Sequence, residues 1–196
     1  MNRILLLFIS VLLVTMSCVN REAKVKTIEE TKTSRFESEV HQAFLENLAS
    51  LCGKSFKGEQ LYRSHHGASW ADRKMVMHVT VCEDDKVYIP FHLDDDHSRT
   101  WMFVAEDGKL RFKHQHLHED GTPEEGSMYG GYADDNGTPY IQYFPADEYT
   151  GQVIDGGAGN VWIVSLAEDL SWYSYRLDRD GEKRLEVLFD LTKPIQ

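Results

Sequence analysis

Hydrophobic residues near the start of the chain recur at the spacing of an α-helix. Between residues 35 and 52 they fall three or four positions apart, which places them on one face of a helix. Ser34 and Glu37 have the spacing of a capping box at the start of this segment, and Gly53 follows its end. The pattern predicts one amphipathic helix over residues 35–52. Its apolar face consists of Phe36, Val40, Phe44, Leu48 and Leu51.

After Gly53 the apolar residues alternate with polar ones, which is the pattern of half-buried β-strands. The runs are short and are separated by turn-forming pairs such as Asn136-Gly137 and Asp180-Gly181. About ten antiparallel strands are therefore expected. Their ranges are 56–63, 75–82, 87–94, 100–105, 110–118, 127–133, 140–144, 161–166, 171–177 and 185–190.

The strands are joined in chain order by tight turns, which favours a meander. A long meander buries its apolar face and removes its edges by closing on itself. The sequence therefore predicts an antiparallel up-and-down β-barrel with one N-terminal α-helix, and a two-sheet sandwich is the alternative. The longest connection, residues 145–160, contains the run Gly156-Gly157-Ala158-Gly159 and is expected to cover a barrel mouth.

The first residues indicate export. Arg3 precedes an apolar run over residues 4–14, which is too short to span a bilayer, and Ser17 and Cys18 follow it. This arrangement resembles a bacterial lipoprotein signal, in which cleavage precedes a Cys that takes the lipid. Residues 1–17 are then the signal peptide, 18–33 a polar tether and 34–196 a single domain in the bacterial cell envelope, anchored by lipidated Cys18. An ordinary cleaved signal, with Cys18 incidental, is the alternative.

Cys52 and Cys82 are the two cysteines that remain in the exported domain. An even count in an oxidising compartment favours a disulfide between them. Two buried thiols, or a metal site that uses both, are the other interpretations.

Charge and missing motifs restrict the class of function. The formal net charge is −11 and no basic run is present, so a nucleic-acid groove is not expected. The chain lacks the G-x-S-x-G and H-E-x-x-H signatures, and its glycine-rich loop lacks the lysine of a P-loop. The sequence therefore favours binding over catalysis.

The most distinctive stretch is FKHQHLHEDG, in which His114, His116 and His118 occupy alternate positions. On a strand these histidines share a face with Leu110 and Phe112, so they are expected to point into the barrel. Imidazoles at this spacing can converge on one ion, and zinc is the metal that such ligands favour. Hydrogen-bonded histidines in a polar pocket and haem ligation by one histidine are the alternatives.

Arg99 lies beside Trp101 at the start of a predicted strand and can pair with a ligand carboxylate or phosphate. Pairing with a loop Asp or stacking on Trp101 is the alternative. We expect His114 and His116 to lie near Arg99 or His92, so that Arg99, Trp101, His92, His114 and His116 form one ligand-binding patch.

Several motifs resemble those of a group of uncharacterised bacterial secreted proteins and lipoproteins. They are Ile89-Pro90-Phe91-His92, Asp96-His97-Ser98-Arg99-Thr100-Trp101, residues 113–121, Tyr129-Gly130-Gly131 and Phe144-Pro145-Ala146-Asp147. The segment Leu51-Cys52-Gly53-Lys54-Ser55-Phe56-Lys57-Gly58 is similar to the opening of calycin barrels, the superfamily of lipocalins and fatty-acid-binding proteins. The resemblance implies a calycin-like barrel and no established activity.

These observations lead to one functional expectation and two rivals. The expectation is an exported lipoprotein that binds a small molecule in its barrel. The first rival is a zinc-dependent enzyme or metal-binding protein that uses His114 and His116. The second is an envelope interaction module with a solidly packed barrel and no ligand.

Overall fold

A computed structural model describes residues 35–65 and 69–195. The signal peptide, Cys18, the tether and Ser34 lie outside these residues. The described part of the chain contains two α-helices, a short 3-10 turn at Gly157–Gly159 and eleven β-strands. The helices are α1 (Glu39–Ala49) and α2 (Glu148–Val153); the strands are β1 (Ser55–Arg63), β2 (Met75–His78), β3 (Val81–Glu83), β4 (Lys86–Leu93), β5 (Asp96–Glu106), β6 (Lys109–His116), β7 (Tyr129–Tyr132), β8 (Ile141–Pro145), β9 (Asn160–Leu166), β10 (Trp172–Arg179) and β11 (Glu182–Asp190).

The strands form one antiparallel sheet in the order β7-β6-β5-β4-β2-β1-β11-β10-β9-β8, with β3 also paired to β4. Apart from β2 and β3, each strand lies beside its neighbours in the chain, and β1 pairs with the last strand, β11. Because β2 and β3 both pair with β4, they occupy one position in the wall. The expected up-and-down barrel of about ten strands with an N-terminal helix is confirmed.

The barrel closes between β7 and β8, where a few hydrogen bonds replace a full ladder. Asp147 N donates to Gly130 O over 2.9 Å, and Asp134 N donates to Tyr143 O over 3.0 Å. The strands approach so closely here that a Cβ at Gly131 would lie 1.8 Å from the carbonyl oxygen of Pro145. Glycine is required at this point because any side chain would force the two strands apart.

Helix α1 closes one end of the barrel. Its buried residues are His41, Phe44, Leu45 and Leu48. Two polar contacts tie the helix to the wall: His41 Nδ1 accepts from Leu110 N over 3.4 Å, and Asn47 Nδ2 donates to Pro139 O over 2.8 Å. This end of the barrel is called the closed end.

The helix begins later than its apolar pattern predicts. Ser38, rather than Ser34, is its N-cap, and the Ser38 side chain accepts from His41 N over 3.4 Å. The preceding Glu37 N donates to Gly108 O over 2.8 Å, in the turn between β5 and β6. That contact holds the backbone before Ser38 out of the helix, although Phe36 is buried as the pattern predicts.

The predicted disulfide is confirmed. Cys52 and Cys82 are bonded, with Cα atoms 6.1 Å apart and 30 positions between them in the chain. The bond joins the turn after α1 to β3, so it fastens the end of the plugging helix to the barrel wall.

Candidate functional site

The inner faces of β5 and β6 carry most of the residues that the sequence analysis selected. The register pairs Arg99 with His116 and Trp101 with His114. All four belong to the inward-facing series that includes Phe103 and Phe112. His114 is 3% exposed, so it lies inside the barrel as its parity with Leu110 and Phe112 predicts.

Trp101 belongs to a stack of aromatic rings across the middle of the barrel. Its ring lies 4.6 Å from that of Tyr175 and 4.7 Å from that of Phe91, with interplanar angles of 9° and 10°. Phe103, Phe112 and Phe144 fill the space on the side of α1. The half of the barrel next to the closed end is therefore filled by side chains.

His114 is neutral, and both of its ring nitrogens are engaged. Nδ1 lies 3.3 Å from the carbonyl oxygen of Tyr129, which only accepts, so Nδ1 carries the proton. Nε2 then accepts from the hydroxyl of Tyr175 over 3.0 Å. Complete burial lowers the pKa of His114 to about 3. This geometry is that of a hydrogen-bonded interior histidine and leaves no ring lone pair for a metal ion.

His116 lies one step further from the closed end. Its Nε2 is 3.3 Å from the hydroxyl of Tyr129, and its Nδ1 is 3.7 Å from a carboxylate oxygen of Glu124. Burial lowers the pKa of His116, and the positive charge of Arg99 lowers it further. Arg99 itself forms an ion pair with Asp96, so its charge is already balanced at the start of β5.

His118 is not brought to the other two histidines. Strand β6 ends at His116, because His118 N donates to Thr122 O in a turn, and the His118 side chain is exposed. In the part of the chain that the structure describes, no group of three or more His, Cys, Asp or Glu residues is arranged to hold a metal ion. The prediction that His114, His116 and His118 converge on one ion is therefore wrong.

The expected proximity of His92 to this patch is also wrong. His92 faces outward from β4, between the inward-facing Phe91 and Leu93. Outside the barrel its Nδ1 lies 3.1 Å from Nε2 of His78, and its ring stacks on that of His97 at 3.8 Å. Burial among these rings, followed by the charges of the other two histidines, lowers the pKa of His92 to about 4.

A half-open cavity of about 580 Å³ lies at the end of the barrel opposite α1. This space is called the mouth cavity, and this end of the barrel is called the open end. Its aromatic and aliphatic walls are formed by Trp70, Tyr129, Ile154, Trp162, Tyr175, Leu177 and Leu185, and its polar lining by Asn160, Arg179 and Arg184. His114 and Trp101 lie beneath it, in contact with Tyr129 and Tyr175.

Strand pairing brings the lining residues of β9 and β10 together. Arg179 is opposite Asn160, and Leu177 is opposite Trp162. Arg179 shares parity with Tyr173, Tyr175 and Leu177, so continuing the predicted strand by two residues would have identified it. Arg184 could not be identified in this way, because it is the extra residue where the register of β10 and β11 shifts.

The connection over residues 145–160 does reach the mouth. Asp147 caps α2 by accepting from Thr150 N over 2.8 Å. The buried Thr150 hydroxyl donates to Gly130 O, where β7 and β8 close the barrel. Ile154, which follows α2, lines the mouth cavity. The connection is thus held against the barrel rim by specific hydrogen bonds.

Comparison with protein-family models, with curated proteins and with solved structures found no match. The resemblance to secreted bacterial proteins therefore stays a prediction. Neither described helix is long and apolar enough to cross a membrane.

Proposed function

We propose that the protein is a binding protein that holds a small molecule in the mouth cavity. The observation that carries this proposal is the contrast within one barrel: the half next to α1 is filled, whereas the other half retains about 580 Å³ lined by aromatic rings. Ligand sites commonly enclose about 300–1,000 Å³, with mostly apolar walls and a few polar groups. The mouth cavity has this size and this composition.

The predicted histidine strand supports the cavity instead of lining it. His114 fixes the orientation of Tyr175 through the 3.0 Å hydrogen bond and stacks on Tyr129, and both tyrosines line the cavity. Of the predicted ligand-binding set, Trp101 and His114 contact the lining tyrosines, and His116 contacts Tyr129. A zinc centre on His114 is not proposed, because both of its ring nitrogens are occupied.

Ligand binding can be tested with N-phenylnaphthylamine, a neutral apolar dye that fluoresces when it leaves water. Ile154→Trp places a bulky ring inside the mouth cavity and should abolish the fluorescence increase. Gln152→Trp is the matched control, because Gln152 is exposed on α2, two residues away. It should bind the dye as the unaltered protein does.

Near-ultraviolet circular dichroism of each variant reports whether the aromatic interior is intact. Dye binding that survives Ile154→Trp with an unchanged spectrum would show that the mouth cavity is not the binding site.

We also propose that Cys18 is lipidated and anchors the protein in a bacterial envelope. The support is the short apolar run over residues 4–14, which Ser17 and Cys18 follow. Cys18→Ala should move the protein from the membrane fraction to the soluble fraction or block its processing. Ser17→Ala, which keeps a small residue before the Cys, should leave both unchanged. Membrane association and processing that survive Cys18→Ala would contradict lipid anchoring.

A further inference from the structure

We infer that the ligand of the mouth cavity is an amphipathic organic anion. Its apolar, flat body would lie against Trp162, Tyr129 and Tyr175, and its single acidic group would bind Arg179 and Arg184. This inference rests on the proposed binding function and goes beyond it by naming the chemical class of the ligand.

The first argument is the unbalanced charge of Arg179. Its Nε donates to Asn160 Oδ1 over 2.7 Å, and its Nη1 donates to the carbonyl oxygen of Asp155 over 3.2 Å. Both acceptors are neutral, and no described carboxylate forms an ion pair with this guanidinium. These contacts fix the position of the charge without neutralising it.

Five arginines that do not line the mouth cavity are each paired with at least one carboxylate. Although the chain is strongly acidic, Arg179 has no such partner among the described residues. The paired examples are Arg35 with Asp85, Arg73 with Asp94, Arg99 with Asp96, Arg111 with Glu106 and Asp147, and Arg176 with Asp178.

The second argument is an unused donor on Arg184. Its Nε is buried and has no hydrogen-bond partner. Its side chain is 20% exposed, and its ion pair, from Nη2 to Glu182 over 3.2 Å, is to a carboxylate whose own side chain is 75% exposed. A buried donor of a charged group is unfavourable without an acceptor. Arg184 also lines the mouth cavity, so an acidic ligand group there would lie beside its guanidinium.

The third argument is the arrangement of the polar and apolar lining. Arg179 and Arg184 lie on neighbouring strands, β10 and β11, and Leu177 and Leu185 pair with each other beside them. Most of the remaining wall is aromatic. A guanidinium at the edge of a low-dielectric cavity attracts an anion more strongly than it would in water. Such a lining fits a molecule with one acidic group on an apolar body.

Two dyes with the same aromatic skeleton separate the charge from the apolar body. Anilinonaphthalene sulfonate carries one negative charge, whereas N-phenylnaphthylamine is neutral. Arg184→Gln should weaken binding of the sulfonate by at least about tenfold, the loss expected for a charge-assisted hydrogen bond. Binding of the neutral dye should change by less than about twofold.

Arg179→Gln provides a second variant with the same expected selectivity. Arg63→Gln is the matched control, because it removes an exposed positive charge from β1 without altering the cavity lining. It should leave the affinity for both dyes unchanged, which excludes a general effect of net charge. Circular dichroism confirms that each variant is folded.

The outcomes distinguish the class of ligand from the existence of the site. Unchanged sulfonate affinity in both Arg179→Gln and Arg184→Gln would overturn the anion inference while the cavity remained a binding site. An equal loss of affinity for both dyes in these folded variants would also overturn it. The arginines would then affect binding through the shape of the cavity and not through their charge. Failure of both dyes to bind the unaltered protein would overturn the proposed function as well.

Discussion

The two ends of the barrel are built from the same strands, yet they carry different side chains. At the closed end, α1 inserts Phe44, Leu45 and Leu48, all of which are buried. At the open end the strands present Arg179 and Arg184 around an unfilled space. The closed end buries apolar surface and the open end leaves charge unbalanced, so stability and binding are expected to depend on different ends of the molecule.

The largest expected effect on stability is at the closed end. Phe44 is 0% exposed and packs against Phe103, with ring centroids 6.2 Å apart. Phe44→Ala should lower the free energy of unfolding by about 3–5 kcal/mol, because it removes apolar contacts and leaves a cavity. Urea denaturation measures this change. Glu46→Ala, on the exposed face of α1, should change it by less than about 0.5 kcal/mol.

If Phe44→Ala lowered stability no more than Glu46→Ala does, the view of α1 as the plug of the barrel would be wrong.

The next effect comes from the bond that fastens α1 to the wall. Replacing Cys52 and Cys82 by Ser should lower the free energy of unfolding by about 3–4 kcal/mol, as expected for a cross-link that spans 30 positions. Dye binding at the open end should be unchanged in the folded variant. Adding reductant should lower the free energy of unfolding of the unaltered protein by the same amount, and insensitivity to reduction would contradict a stabilising cross-link.

A smaller effect concerns pH and arises at the floor between the two ends. The pKa of His114 is about 3 in the folded protein and about 6.5 in an unfolded chain. Its neutral form favours folding fully above pH 6.5, and this stability is lost as the pH falls from 6.5 towards 3. At pH 5 the loss should be about 2 kcal/mol relative to pH 7.

His114→Gln supplies the control, because glutamine retains an acceptor for Tyr175 and does not titrate. Its stability should fall less than that of the unaltered protein between pH 7 and pH 5, as measured by urea denaturation at each pH. Equal losses in the two proteins would show that other groups cause the acid sensitivity.

The smallest effect on stability is expected at the open end. Arg184→Gln should change the free energy of unfolding by less than about 0.5 kcal/mol, because its Nε has no partner and its ion pair is exposed. Thermal denaturation of Arg184→Gln and Phe44→Ala side by side measures the difference in stability loss between the two ends. A loss above about 1 kcal/mol would mean that Arg184 supports the fold, and the separation between the two ends would fail.

Local patterns in the sequence predicted the elements and much of the interior. Helical spacing identified the buried face of α1, and two-residue alternation placed Phe112 and His114 inside, because side chains on a strand alternate between its two faces. The disulfide followed from the number of cysteines and the predicted export. These properties depend on residues close in the chain or on simple counts, so no tertiary information was needed.

The function-bearing details depended on contacts between segments distant in the chain. The register shift between β10 and β11 brought Arg184 to the cavity. Tyr129 on β7 and Tyr175 on β10, across the barrel, occupied the two nitrogens of His114. His92 contacts His78 and His97 outside the barrel, and it does not reach His114 inside. Alternation assigns a side chain to a face, whereas its partners are chosen by strand register and loop packing, which only the closed barrel decides.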